Sequence, residues 1–152
     1  MEAQMKVITI QQPYASLLMG SWKRDRQIVP FKNIETRSWI INYRGDIAIH
    51  AAKNFPDDCK HLCLENGMFR NAIKVLGYTV DTLPRGCILG FRRLVEIHST
   101  EKVIPVLSRT ERAFGDYTEG RYGWIFDQAP PVLFKTPIPT RGYQGLWEYD
   151  GG

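Results

Sequence analysis

Arg85-Gly86-Cys87-Ile88-Leu89-Gly90-Phe91-Arg92-Arg93-Leu94-Val95-Glu96-Ile97 is the stretch on which the fold reading turns. Leu83-Pro84-Arg85-Gly86 makes a turn, and Cys87–Ile97 is the longest strand the chain supports. Downstream, Tyr122–Asp127 and Val132–Thr136 read as paired strands around Ala129–Pro131, and Gln144–Tyr149 as a last strand. Upstream, Met5–Ile10 is a short strand. Pro13 then suits the first turn of a helix with Ala15, Leu17, Leu18 and Met19 on its apolar face and Gly20 as its stop. Ser21–Arg26 is a polar loop, and Ile28–Phe31 an extended piece with Pro30 at an edge. Ile34–Ile41 and Ile47–Ala51 read as a hairpin about Asn42–Asp46. Asp57 and Asp58 precede a helix over Cys59–Phe69, with a second short one over Asn71–Leu76, and Gly67 and Gly77 as stops. Lys102–Leu107 is ambiguous, and Ser108–Gly120 is a polar connector. Many short strands without a βαβ rhythm predict one mixed α+β domain over residues 1–152, built on a closed or half-closed antiparallel sheet.

The composition sets bounds on function. A chain of 152 residues needs no staple to fold, and 43% hydrophobic with 24% charged residues is ordinary for a globular core with a solvated surface. No apolar run approaches the roughly 20 residues that cross a bilayer. Met1–Lys6 shows no secretory pattern, so the expectation is a cytoplasmic chain with no membrane partner. The formal charge is +4, carried by 12 Arg and 8 Lys against 16 acids, which favours an anionic partner. Three cysteines, Cys59, Cys63 and Cys87, argue against a disulfide framework, and a Cys-x3-Cys pair beside His61 is short of a zinc site, so neither metal nor cofactor is expected. No phosphate loop, Gly-x-Ser-x-Gly elbow or His-Glu-x-x-His is present.

Four segments can carry chemistry. In Phe31-Lys32-Asn33-Ile34-Glu35-Thr36-Arg37-Ser38-Trp39, strand alternation puts Glu35, Arg37 and Trp39 on one face, with Lys32 at the strand mouth. That is either a functional cleft or a surface ion pair. In Ile47-Ala48-Ile49-His50-Ala51-Ala52-Lys53, His50 is either an acid–base group or a half-buried strand histidine, and Lys53 lies just past the strand end. Tyr122, Trp124 and Phe126 form an aromatic stripe. Phe126 is expected in the core, and Tyr122 and Trp124 are candidates for stacking a base. Thr140-Arg141-Gly142-Tyr143-Gln144-Gly145 is either an anion-binding turn or simply a tight one.

Six segments in order resemble the ASCH family, named for homology to the activating signal cointegrator. They are Gln12-Pro13-Tyr14-Ala15-Ser16-Leu17-Leu18; Lys32-x-x-Glu35-x-Arg37-Ser38-Trp39; Tyr43-Arg44-Gly45 with Ile49-His50-Ala51-Ala52-Lys53; Arg85–Gly90; Tyr122–Phe126; and Pro137–Trp147. The resemblance implies a PUA-like antiparallel β-barrel with flanking α-helices. It also implies a basic cleft lined by Lys32, Glu35 and Arg37, with His50 and Lys53 nearby. Family members include RNA- or DNA-binding modules, ribonucleases and an amidohydrolase of acetylated cytidine. In the last, a Thr nucleophile stands where this chain has Glu35, while Thr36 points to the other face of a regular strand.

Three functions follow as expectations. The first is a module that binds single-stranded RNA or a modified nucleotide through Lys32, Glu35, Arg37, Ser38, His50, Lys53, Tyr122, Trp124 and Arg141, with DNA as a further possible partner. The second is a metal-independent hydrolase that uses Lys53, Lys32 and Glu35 in the same cleft. The third is a protein-interaction module. Oligomeric state is left open.

Overall fold

The structure is a computed structural model that describes residues 4–151. Residues 1–3 of the Met1–Lys6 segment, on which the leader expectation rests, lie outside the described residues. The elements in order are strand β1 (Met5–Ile10), helix α1 (Tyr14–Met19), strands β2 (Ser21–Arg24), β3 (Gln27–Pro30), β4 (Ile34–Arg37) and β5 (Gly45–Ala51), and helices α2 (Asp57–Glu65) and α3 (Gly67–Val75). The 13-residue strand β6 (Cys87–Ser99) follows, then helix α4 (Thr100–Val103), a 3-10 turn over Ile104–Val106, helix α5 (Arg109–Ala113), and strands β7 (Tyr122–Phe126), β8 (Val132–Pro139) and β9 (Leu146–Tyr149).

Seven strands make one sheet: six run in the order β4-β7-β6-β5-β1-β9, and β8 pairs with β6 off this path. It is antiparallel except for β1 and β5, which run parallel. That pairing requires a crossover, supplied by α1, β2, β3 and β4. β6 is the spine. One of its edges carries β5, and the other carries β8 against Cys87–Phe91 and then β7 against Leu94–Ser99. At the changeover Gly90 lets β8 pass closely, since a Cβ there would stand 2.0 Å from the Val132 carbonyl oxygen.

The sheet is buried on both faces. Ile8, Ile10, Ile47, Ile49, Leu94, Trp124 and Phe126 meet α1 on one side. Val7, Ala48, Ile88 and Trp147 pack with Phe134 and Ile138 of β8 on the other. Helix α1 is buried from Ala15 to Met19 because its far side, through Leu17, packs on Phe69, Ala72 and Phe114. Between α2 and α3, the Asn66 side chain accepts from the amides of Met68 and Phe69, so Gly67 opens the second helix instead of closing the first.

The structure departs from the sequence expectations at several elements. The strand at Ile34 ends at Arg37 and makes no hairpin with β5; it pairs with β7. Beyond Arg37 the chain turns, with Arg44 Nη1 donating locally to the Ile41 and Tyr43 carbonyls and Trp124 Nε1 of β7 donating to the Trp39 carbonyl. β7 and β8 do not pair with each other. Ser21–Arg26 is not a loop, because β2 and β3 form a separate two-stranded hairpin. The connector after Ser108 holds α5, capped by the Ser108 hydroxyl accepting from the Glu111 amide. Above all, the sheet is not closed into a barrel. Among the described residues, β4 pairs only with β7, and β1 only with β5 and β9, which leaves an open seam between β4 and β1. No helix among the described residues is long and apolar enough to cross a membrane.

Candidate functional site

The open seam is the site. A cleft of about 1910 Å³ runs along it, lined by residues of β1 and β4, the end of β5 and the loop that follows β8. On its floor, Glu35 and Arg37 project from the same face of β4, as strand alternation predicts. Arg37 Nη2 stands 3.1 Å from Glu35 Oε2 and donates to the Thr9 carbonyl of β1 at 2.9 Å. One guanidinium therefore pins the carboxylate and bridges two strands that share no ladder.

Lys32 is the first sequence candidate to be displaced. It is fully buried, with Nζ 3.8 Å from Glu35 Oε1, a donated bond to the Ile34 carbonyl, and Tyr14 under it at 6.0 Å. Burial lowers its pKa from the usual lysine value, opposed by Glu35 and Glu111. It does not line the cleft; it lies beneath Glu35 and supports it. Glu111 of α5 completes this buried set by accepting from the Asn33 and Ile34 amides at 2.7 and 3.2 Å. Burial raises the Glu111 pKa. The approach to β4 is thus held by charged hydrogen bonds that strand periodicity does not reveal.

His50 lines the cleft wall but is 1% exposed, at a bulge where the register of β5 against β6 shifts. Its protonation state follows from its partners. Nε2 lies 2.8 Å from the Thr140 carbonyl, which only accepts, so Nε2 carries the hydrogen. Trp147 Nε1 donates to Thr9 Oγ1 at 3.0 Å, and Thr9 Oγ1 lies 3.2 Å from His50 Nδ1, where a neutral ring with its hydrogen on Nε2 accepts the Thr9 hydroxyl proton. Both ring nitrogens are engaged. Of the two readings of His50, the geometry is that of a strand histidine, buried and held at both nitrogens as a strut under residues 140–145, rather than of a free acid–base group.

Burial lowers the His50 pKa from 6.5, opposed by the Thr140 hydrogen bond. Below pH 6.5 the unfolded chain therefore binds more protons at this site than the folded one. Stability rises with pH through that window and is lost on acidification. The expected slope is at most about 1.4 kcal/mol per pH unit. Chemical denaturation of the wild type and His50→Gln across pH 5–7 should show the wild type gaining more stability with rising pH than the variant, the difference reporting His50 alone. An imidazole titrating at or above 6.5 by NMR would refute the assignment.

Positive charge gathers at one rim. The Gly86 amide donates to the Ala51 carbonyl at 2.8 Å, the Thr140 amide to the Gly86 carbonyl at 3.1 Å, and Arg85 Nη1 to the Lys53 carbonyl at 3.2 Å. These bonds lay three chain segments side by side, so Lys53, Arg85 and Arg141 converge. All three are exposed, and among the described residues none has a carboxylate within ion-pair distance. By contrast, Arg121 across the cleft lies 3.5 Å from Asp116. Arg141 sits 5.6 Å over the ring of Tyr143, which is 55% exposed and packs edge-on against Trp147.

Glu35, Arg37, Ser38, His50, Lys53 and Arg141 all line the cleft, as does Trp39. The proposed stacking pair does not. Trp124 is 0% exposed in the main core, and Tyr122 is half-buried against it, because β7 lies between β4 and β6 with its aromatic face turned inward. Sequence reasoning missed Arg85 and Tyr143. Each lies beside a glycine in a segment already singled out, but the pairing of Cys87 with Pro139 across β6 and β8, carried one step further by the Thr140 amide on the Gly86 carbonyl, is what brings their segments together. The three cysteines are free and buried, and burial pushes the Cys63 thiol up to about 11. Among the described residues no three His, Cys, Asp or Glu side chains cluster to hold a metal.

Fold and site together define a mixed α+β domain with a mostly antiparallel sheet and a cleft at its open seam. No family model matches the sequence, and no curated protein matches it. Among solved structures the chain is similar to one described as the crystal structure of ASCH from Zymomonas mobilis, at 16% identity and a TM-score of 0.46, over 89% of this chain and 73% of that one. That structure bears the same family name as the motif resemblance. The chemistry of the cleft, rather than this likeness, carries the functional reading.

Proposed function

We propose that this chain binds single-stranded RNA, or a modified nucleotide within it, in the seam cleft. The observation that carries the reading is the convergence of Lys53, Arg85 and Arg141, free of acidic partners, beside the exposed ring of Tyr143. Phosphates suit the cations, and Tyr143 offers a base a stacking face that needs no particular sequence. On the floor, Glu35 accepts from an exocyclic amine or ring N–H. The size of the cleft favours a strand, because pockets for single small molecules span roughly 300–1,000 Å³. Of the groups a hydrolase would call on, His50 has both ring nitrogens engaged and Lys32 is sealed from the cleft, while Glu35 remains on the floor as an acceptor held by Arg37. Binding without turnover is the reading favoured by this geometry.

Fluorescence anisotropy with a labelled single-stranded RNA tests it. Affinity should fall with salt, and the triple variant Lys53→Ala, Arg85→Ala, Arg141→Ala should flatten the log–log slope by about 2, or roughly 0.7 per lost phosphate contact. Glu35→Gln should change base preference and leave the slope unchanged. Undetectable binding at low salt would overturn the proposal, and equal affinity for DNA of the same sequence would remove its RNA specificity.

A further inference from the structure

Hairpin β2–β3 stands apart from the main sheet, and none of its residues lines the cleft. It carries Lys23, Arg24 and Arg26, all exposed, against the single acid Asp25, which takes the turn at a φ of 57°. Among the described residues none of these cations has a carboxylate within ion-pair distance. Beside them Trp22 is 41% exposed, its ring stacked on Phe31 at 6.2 Å and 23°. Phe31 holds the indole from one side and leaves the rest of it open. Phe31 itself packs against the cluster of Leu17, Phe69 and Phe114, and Phe114 borders the cleft.

Unpaired like charges on a short two-stranded hairpin repel one another, and the stack on Phe31 accounts for only one side of Trp22, so the cations and the open side of the indole have no partner among the described residues. An anionic, flat-faced partner fits both. The connection is short as well: Pro30 and Glu35 are five residues apart, and at about 3.4 Å per extended residue the hairpin base lies within roughly 17 Å of the cleft floor.

The geometry points to the hairpin as a second contact for the same nucleic-acid strand, with its cations on phosphates and Trp22 stacking a base that lies outside the cleft. This rests on the nucleic-acid reading of the cleft and adds to it that the ligand is a polymer spanning both surfaces, not a free nucleotide. The exposed triple variant Lys23→Ala, Arg24→Ala, Arg26→Ala leaves the core untouched. It should bind a single-stranded RNA of about 12 nucleotides on the order of tenfold more weakly, with a salt slope flatter by about 2, and bind one of about 4 nucleotides like the wild type. Trp22→Ala should weaken the longer RNA at least fivefold, in line with about 1–3 kcal/mol per stacked base. Unchanged affinity of both hairpin variants for the longer RNA, while the cleft triple variant weakens it, would overturn the hairpin contact and leave the cleft reading standing. Wild-type protein that binds neither RNA would overturn both. Hairpin-dependent binding to phosphatidylserine vesicles with RNA affinity unchanged would also overturn the proposal.

Discussion

Gly142→Ala should weaken RNA binding more than tenfold and leave the domain folded. A Cβ at Gly142 would stand 2.6 Å from His50 Cε1, 2.7 Å from Thr9 Oγ1 and 2.8 Å from His50 Nδ1. The constraint is space rather than backbone conformation, because Gly142 is not among the glycines with positive φ. Neither neighbour can give way cheaply. His50 is held at both nitrogens and faces Trp147 edge-on at 5.5 Å, and Thr9 is held between Trp147 and His50. The loop must therefore lift, carrying Arg141 and Tyr143 away from Lys53 and Arg85. A tenfold loss corresponds to about 1.4 kcal/mol of binding energy, which one misplaced phosphate contact with one misplaced stacking ring readily exceeds. Gly145→Ala is the control. Its Cβ meets nothing, and the penalty at its φ of 71° is local strain, so affinity should change little. Anisotropy titrations of both variants beside their urea midpoints separate the two effects, and a Gly142→Ala protein that binds like the wild type would remove residues 140–145 from the site.

The largest loss of stability is expected from Arg92→Met. Arg92 is 3% exposed on the spine strand and donates to the carbonyls of Leu18, Lys32 and Asp127 and to Asn33 Oδ1, at 3.1, 2.5, 2.7 and 2.5 Å. One guanidinium thus ties the end of α1, the approach to β4 and the chain leaving β7. Burial brings its pKa down to about 10, opposed by Glu111 and Asp127. Methionine fills much of the volume and satisfies none of the four acceptors. Breaking a buried charged network from one side costs about 3–5 kcal/mol, a large share of the total stability of a domain. Urea unfolding should show the midpoint falling steeply at constant m-value. Arg92→Lys should lose most of the same energy, because an ammonium cannot reproduce the planar fork. A loss below about 1 kcal/mol in Arg92→Met would show that the four bonds are marginal.

Much of this architecture was legible in the chain. Long apolar runs bounded by turn residues located β1, β5, β6 and β7, and Pro13 and Gly20 bracketed α1, because local patterning reports which face of an element is buried. Partner choice was not legible. Ile34–Ile41 looked like half of a hairpin because Asn42–Asp46 is rich in turn residues, yet β4 pairs with β7, 85 or more residues away. The exposed hairpin at Ser21–Pro30 was hidden by its charge, since polar strands lack the alternation that marks a half-buried sheet.

The site divides in the same way. Glu35 beside Arg37 on one strand face, and Lys53 past the end of another strand, follow from a period of two and are readable from order alone. Which residues share the cleft is a property of distance in space. Lys32 sinks beneath Glu35 with its ammonium on the Ile34 carbonyl, Trp124 enters the core because β7 lies inside the sheet, and Arg85 comes to the same rim as Arg141 because the β6–β8 pairing and the Thr140–Gly86 main-chain bond lay their segments together. Periodicity assigns a side chain to a face; only long-range pairing determines whether that face meets solvent, a core or another charged group.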